Sequence, residues 1–264
     1  MRELLTSRGL APRRELGQNF VADPNTVRRI AHLAAVGPDD HVVEIGAGLG
    51  SLTLALAETG ADVTAVEVDR GLVGALREVV ADASNVHVVE ADAMTLDWDA
   101  LLGDRTGWVL VANLPYNVAT PLVADLLDDV PAIARMLVMV QREVGERLVA
   151  GPGSAAYGAV SVKVAYWASA RLAGFVPAAV FMPRPNVESA LVEIVRREHP
   201  AVAPGELFPI VRTAFGQRRK MLRRSLAGVV DGTQFAAAGV AGTARPEELG
   251  LDDWVRLTQV VHAA

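Results

Sequence analysis

Apolar, β-branched runs recur along the first two-thirds of the chain with helical patterns between them, and this alternation narrows the fold more than any other feature. The runs are HVVEIG (41–46), DVTAVEV (62–68), VHVVEA (86–91), WVLVANL (108–114) and RMLVMVQ (135–141). Helical periodicity falls near 51–59, 70–81 and 119–129. Strands that are apolar on both faces and separated by helices require a parallel sheet covered on both sides. Runs at 170–176 and 188–196 are placed to extend it, and FVPAAVFMPRPNVES (175–189) reads as a structured loop. From about residue 200 the pattern is helical only, with AVAPGE at the junction. The expected organisation is an N-terminal arm and α/β domain over 1–199, followed by a small all-helical domain over 200–264.

Composition excludes several functions. No 18-residue apolar run is free of charge, so a membrane span is not expected. The first twenty residues hold no apolar signal core, which argues against a secretory signal, and a cytoplasmic location is expected. Cysteine is absent and the five histidines lack ligand spacing, so no metal site is expected. The net charge of −6 argues against a nucleic-acid partner, but its distribution does not. No acidic residue lies between Leu207 and Val230, while Arg212, Arg218, Arg219, Lys220, Arg223 and Arg224 fall within thirteen positions. Such a stripe binds phosphate whatever the total charge; its plain alternative is a solvated helix face.

VVEIGAGLGSL follows the first strand and opens a helix, the arrangement that brings a ligand close to backbone at the carboxyl edge of a sheet. The dinucleotide fingerprint needs glycine at position 51, where there is Ser51. Gly46, Gly48 and Gly50 are spaced differently, and Glu44 precedes them. Glu67 ends the second strand, 21 residues after Gly46, where a carboxylate accepts ribose hydroxyls. Asp92 ends the third, placed for an adenine amino group. This ladder of acids suits a nucleoside with an amino-acid tail, as in S-adenosylmethionine, better than a pyrophosphate. The fourth run ends in Asn113-Leu114-Pro115-Tyr116, which reads either as a strand-ending turn or as a site.

The chain resembles the small-subunit (16S) rRNA adenine N6,N6-dimethyltransferases of the KsgA type. The matching motifs are LGQNF (16–20), VEIGAGLGSLT (43–53), VEVDR (66–70), EADAM (90–94), NLPYN (113–117), QREVGERLVAGPGSAAYG (141–158), FMPRPNVESALV (181–192) and AFGQRRKMLRRSL (214–226). Ala47 and Val21 depart from the usual proline and leucine without removing a polar group. The resemblance implies a class I S-adenosylmethionine-dependent methyltransferase fold: a Rossmann-like, seven-stranded, mostly parallel sheet with a helical C-terminal domain. It implies four methyl transfers from S-adenosylmethionine to two adjacent adenosines in the 3′-terminal hairpin loop of 16S rRNA, within the assembling 30S subunit. A monomer without metal or membrane is expected. By motif position, Asn19, Val21, Gly46, Glu67, Asp92 and Asn113 contact or border the cofactor, joined by Glu44 and Gly48 from the glycine turn.

The chemistry assigns the remaining roles. Adenine N6 is a poor nucleophile because its lone pair is delocalised into the ring. Acceptors on its two hydrogens pull the nitrogen toward tetrahedral geometry; the Asn113 side-chain oxygen and the Leu114 carbonyl are the candidates. Pro115 fixes φ and aims that carbonyl outward. Tyr116 stacks on the base and Phe181 closes the opposite face, unless Phe181 is only a loop anchor. Arg218, Arg219, Lys220, Arg223 and Arg224 are assigned to RNA. The rivals are a large-subunit rRNA adenine methyltransferase, a DNA adenine methyltransferase, and a ribosome-assembly factor whose methylation is incidental.

Overall fold

The computed structural model describes Arg13 and residues 17–263. The remainder of the expected N-terminal arm, including Leu16 of LGQNF, lies outside the described residues. The expected runs form β2 (His41–Ile45), β3 (Asp62–Glu67), β4 (Val86–Glu90), β5 (Trp108–Asn113) and β6 (Ile133–Gln141). With β7 (Ala168–Val176) and β9 (Ser189–Arg196) they make one seven-stranded sheet of order β4-β3-β2-β5-β6-β9-β7. The pairs from β4 through to β6 are parallel, and β9 runs antiparallel to β6. Chain order reverses at β2, whose neighbours are β3 and β5, so a crevice opens beyond the carboxyl ends of these strands. Ile45, Glu67 and Asn113 end those three strands.

Local signals set the flanking helices. Asp23 caps α1 (Pro24–Ala34) by accepting from the Thr26 N–H at 2.8 Å, and Pro24 starts it without an orphan donor. One stripe of α1, Val27, Ile30, Ala31 and Ala34, is buried in the same core as Leu52, Ala55 and Leu56 of α2 (Ser51–Ala57). Each fully buried Val, Leu or Ile contributes roughly 1.5–3 kcal/mol. Asp69 caps α3 (Arg70–Val79), and Leu72 and Leu76 turn inward. The loop expected at 175–189 contains a two-residue strand, β8 (Phe181–Met182), antiparallel to β1 (Phe20–Val21).

The chain divides into two compact units, the first of residues 1–145 and 171–196, the second of 146–170 and 197–264. Residues 146–170, expected inside the 1–199 domain, therefore pack with the C-terminal residues. The reason is apolar: Tyr157, Val162 and Tyr166 share one core with Leu207, Phe208, Trp254 and Leu257. Val162 and Tyr166 belong to α7 (Ala159–Trp167), and the Tyr157 hydroxyl donates to the Leu249 carbonyl at 2.9 Å. In this unit α8 (Pro204–Gly216) ends before Arg218, α9 is short (Leu222–Ser225), and α11 (Leu251–His262) closes the helical set.

Candidate active site

The turn between β2 and α2 is possible because Gly46, Gly48 and Gly50 adopt φ of 74°, 59° and 81°, the left-handed region that other residues avoid. Gly48 is further constrained by space: a Cβ there would lie 2.9 Å from the Phe20 ring. The turn is closed by the Gly46 N–H donating to the Val66 carbonyl at 2.9 Å and the Gly48 N–H donating to Glu67 Oε2 at 2.7 Å. Above it lies a cavity of about 190 Å³, lined by Gln18, Asn19, Phe20, Gly46, Gly48, Glu67, Asp92, Met94 and the Asn113–Val118 turn, among others.

The three strand-end acids have different surroundings. Glu67 lines the cavity while only 5% exposed, and its Oε1 accepts the Asp69 N–H at 2.8 Å. Burial raises its pKa, and the Asp69 and Gly48 N–H groups oppose the rise. Asp92 lines the same cavity from an exposed position, with Oδ1 accepting the Met94 N–H at 2.9 Å. Glu44 does not reach it. Its carboxyl is 2% exposed and lines a separate cleft of about 30 Å³ beneath the turn. Burial pushes Glu44 up to about 8, the nearby Thr53 hydroxyl opposes this, and the Glu67 charge adds to it. Neither Glu44 Oε2 nor Thr53 Oγ1 has a partner at hydrogen-bond geometry. The ladder thus places two acids at the cavity and one below it, because β2 is buried on both faces.

The NLPY turn sits directly on the cavity. Asn113 Nδ2 donates to the Asn19 carbonyl at 2.8 Å. Only nitrogen can make that bond, so the amide is oriented and its Oδ1 is the acceptor it has to offer. The Leu114 N–H is held by the Met139 carbonyl at 3.0 Å, and the Pro115 carbonyl accepts from Val118 and Ala119 at the start of α5 (Ala119–Asp129). The Tyr116 hydroxyl lies 2.8 Å from Ser189 Oγ. Burial raises the Tyr116 phenol and the Ser189 bond opposes it, so the phenol keeps its proton at neutral pH.

A glycine turn over a buried acid, facing an oriented Asn-Leu-Pro-Tyr turn, can be compared with known proteins. The profile of the family described as ribosomal RNA adenine dimethylase matches residues 9–262. The chain belongs to this family. It is similar to the ribosomal RNA small subunit methyltransferase A of Streptomyces coelicolor, 47% identical over 98% of this chain and 94% of the relative. The protein of the same name from Thermobifida fusca is 48% identical over 98% and 93%. Among solved structures, the 23S rRNA methyltransferase ErmE superposes with a TM-score of 0.72 at 26% identity, covering 92% of this chain and 99% of that one. The fold is that of a class I methyltransferase, and the methyl donor of the family is S-adenosylmethionine.

In this dimethylase two expected site residues besides Glu44 lie elsewhere. Phe181 is 4% exposed and packs in the core with Val21, Val27, Val176 and Leu191; it is absent from the cavity lining. Its place is that of the loop anchor, because pairing with Val21 across β1 and β8 turns its ring inward. Val21 is likewise in the core and borders only the smaller cleft; Phe20 takes the cavity side. Gln18, Asp69 and Ser189 make hydrogen bonds that sequence alone did not assign, although each stands within a family motif. Gln18 Nε2 donates to Asp69 Oδ2 at 2.9 Å, and Arg13 pairs with Asp69 Oδ1 at 3.4 Å, fastening the arm to the loop after β3.

The basic run is not one helix face: Arg212 is on α8, Arg218 to Lys220 lie in a turn, and Arg223 and Arg224 are on α9. Gln217 leaves helical geometry and the Lys220 N–H folds back to its carbonyl at 2.7 Å. Arg218 is engaged: its Nε donates to Glu247 at 2.6 Å and its guanidinium also donates to the Ala155 carbonyl at 2.7 Å. Arg219, Lys220, Arg223 and Arg224 are exposed. Among the described residues there is no cluster of three or more side chains fit to hold a metal, and no helix is long and apolar enough to cross a membrane.

Proposed function

We propose that this dimethylase adds two methyl groups to N6 of each of two adjacent adenosines in the 3′-terminal hairpin loop of 16S rRNA. It acts as a cytoplasmic monomer on assembling 30S subunits. The observation that carries this reading is Asn113, a cavity-lining residue whose amide nitrogen is held by the Asn19 carbonyl and whose Oδ1 is left as its acceptor. The names of the relatives support the small-subunit target.

The residues present fit the cofactor, since the Gly48 cradle excludes a side chain and Glu67 is a desolvated carboxylate on the cavity wall. S-adenosylmethionine, when bound, supplies a methyl group activated by a positively charged sulfur. Glu67 would hold the ribose: each oxygen already accepts a backbone N–H and keeps a further lone pair for a hydroxyl. Asp92 would take the adenine amino group, and Gly46, Gly48, Asn19 and Asn113 would border the rest. Glu44, beneath the turn, supports it from below.

The target base swings out of its stack and lies on the Tyr116 ring, an interaction worth roughly 1–3 kcal/mol. Asn113 Oδ1 and the Leu114 carbonyl accept its two amino hydrogens. The neighbouring Pro115 carbonyl is already committed to the start of α5 and is not available for this role. These bonds localise the nitrogen lone pair. The product is cationic before it loses a proton, so water suffices as the acceptor and no side-chain base is required.

The test is transfer of labelled methyl groups to unmethylated 30S subunits, with the modified bases mapped. Two adjacent dimethyladenosines in the 3′-terminal loop are expected. Modification of free 23S rRNA, but not of 30S subunits, would replace this target with the large-subunit one.

A further inference from the structure

Ser189 is wholly buried, opens β9 opposite Gln141 of β6, and does not line the cavity. Tyr116, which does line it, reaches Ser189 through its hydroxyl at 2.8 Å. A stacking ring needs only its face, and phenylalanine would supply that. Here the far end of the ring is tied to a hydroxyl that no solvent reaches, and the near end is fixed by the turn whose Pro115 carbonyl is bonded into α5. A buried hydroxyl deprived of its partner is costly, so the bond persists and holds the ring at both ends.

Resting on the proposed reaction, we propose that Ser189 is a positioning residue that controls addition of the second methyl group, acting on the base through Tyr116. Each transfer forms an N6–CH3 bond with the nitrogen lone pair. The S–CH3 bond breaks with its electrons left on sulfur, and one N6 proton passes to water. Unmodified adenosine offers two hydrogens, one for Asn113 Oδ1 and one for the Leu114 carbonyl. After the first transfer one hydrogen remains, so one of the two polar anchors is gone. The orientation of the monomethylated base then depends mainly on the ring beneath it. A loosened ring therefore slows the second transfer more than the first.

The experiment compares wild type, Ser189→Ala, Tyr116→Phe and the double variant on unmethylated 30S subunits at saturating S-adenosylmethionine. Mono- and dimethyladenosine are followed in time by mass spectrometry. Wild type should finish as dimethyladenosine. Each single variant should slow the second step relative to the first by about fivefold, the scale of one neutral hydrogen bond. The double variant should be no worse than either single one, because both remove the same bond. Affinity for 30S subunits without cofactor should stay within about twofold, because phosphate neutralisation supplies most of it and the ring face remains. Tyr116→Phe removes the same bond while keeping the stacking ring, so the test survives a misfolded Ser189→Ala. Equal slowing of both steps, multiplicative losses in the double variant, or a large loss of affinity would overturn the inference. Wild type that makes no dimethyladenosine would instead overturn the reaction on which it rests.

Discussion

The Gly48 N–H donates to Glu67 Oε2 at 2.7 Å, so a single carboxylate closes the glycine turn and also faces the cavity. The other oxygen holds the Asp69 N–H, and Asp69 in turn holds Gln18. Turn, strand end and arm are thereby joined through one buried acid.

Glu67→Ala should weaken S-adenosylmethionine binding tenfold to a hundredfold, the equivalent of roughly 1.5–3 kcal/mol for a charge-assisted hydrogen bond. Isothermal titration measures this. The melting temperature should fall as well, because the backbone donors of Gly48 and Asp69 lose their acceptor. A folded variant with unchanged affinity would remove Glu67 from the cofactor site.

Glu44 gives a pH prediction. Its carboxyl ordinarily titrates near 4.5 and burial raises it to about 8 in the folded protein. Between those values the folded state keeps a proton that the unfolded state has released. Stability therefore falls as pH rises through this window, by up to about 1.4 kcal/mol per pH unit, and levels off above it. Glu44→Gln keeps the shape and removes the titration. Urea unfolding at pH 6 and pH 8.5 should show the variant gaining on wild type as pH rises. Parallel curves would mean that Glu44 is ionised in the fold.

The central strands β2, β3, β5 and β6 are legible because doubly buried strands leave apolar runs that helices separate. Asn113 to Tyr116 stand out because amide, proline and ring are not what a plain core strand needs, although a strand-ending turn has the same spelling. Phe181 is ambiguous for a physical reason: an aromatic ahead of prolines has the same spelling whether it packs inward or lines a cavity. Glu44 is ambiguous because alternation along β2 names two faces and both are buried. The association of residues 146–170 with the C-terminal unit is unreadable for a related cause. The AVSVKVAYW run of α7 is apolar nearly all round, so its sequence names neither the face that is buried nor the partner that covers it.

The basic run should divide into two classes. Reversing Arg219, Lys220, Arg223 and Arg224 to Glu should weaken 30S binding strongly and reduce its log–log salt slope by roughly 0.7–0.9 for each phosphate no longer neutralised. S-adenosylmethionine affinity should not change. Arg218→Ala should act differently: it frees Glu247 and the Ala155 carbonyl, so its main effect is destabilisation of about 1 kcal/mol. If the four exposed reversals leave 30S affinity and salt slope unaltered, the run is only solvated surface.

Asn113→Ala separates transition-state from ground-state interactions. The substitution removes the Oδ1 acceptor of a cavity-lining residue and the donor to the Asn19 carbonyl. Hydrogen bonds that localise the N6 lone pair strengthen as the nitrogen becomes tetrahedral, so their loss falls on kcat rather than on RNA affinity. A hundredfold fall or more in the single-turnover rate is expected, about 2.7 kcal/mol of barrier. Binding of 30S subunits should change by less than about threefold, because phosphate neutralisation supplies most of that affinity. Release of the Asn19 carbonyl also loosens the arm, so cofactor affinity is measured in parallel and transfer is read at saturating S-adenosylmethionine. A near-normal rate under those conditions would reduce Asn113 to the last residue of a strand and leave the orienting role to the Leu114 carbonyl alone.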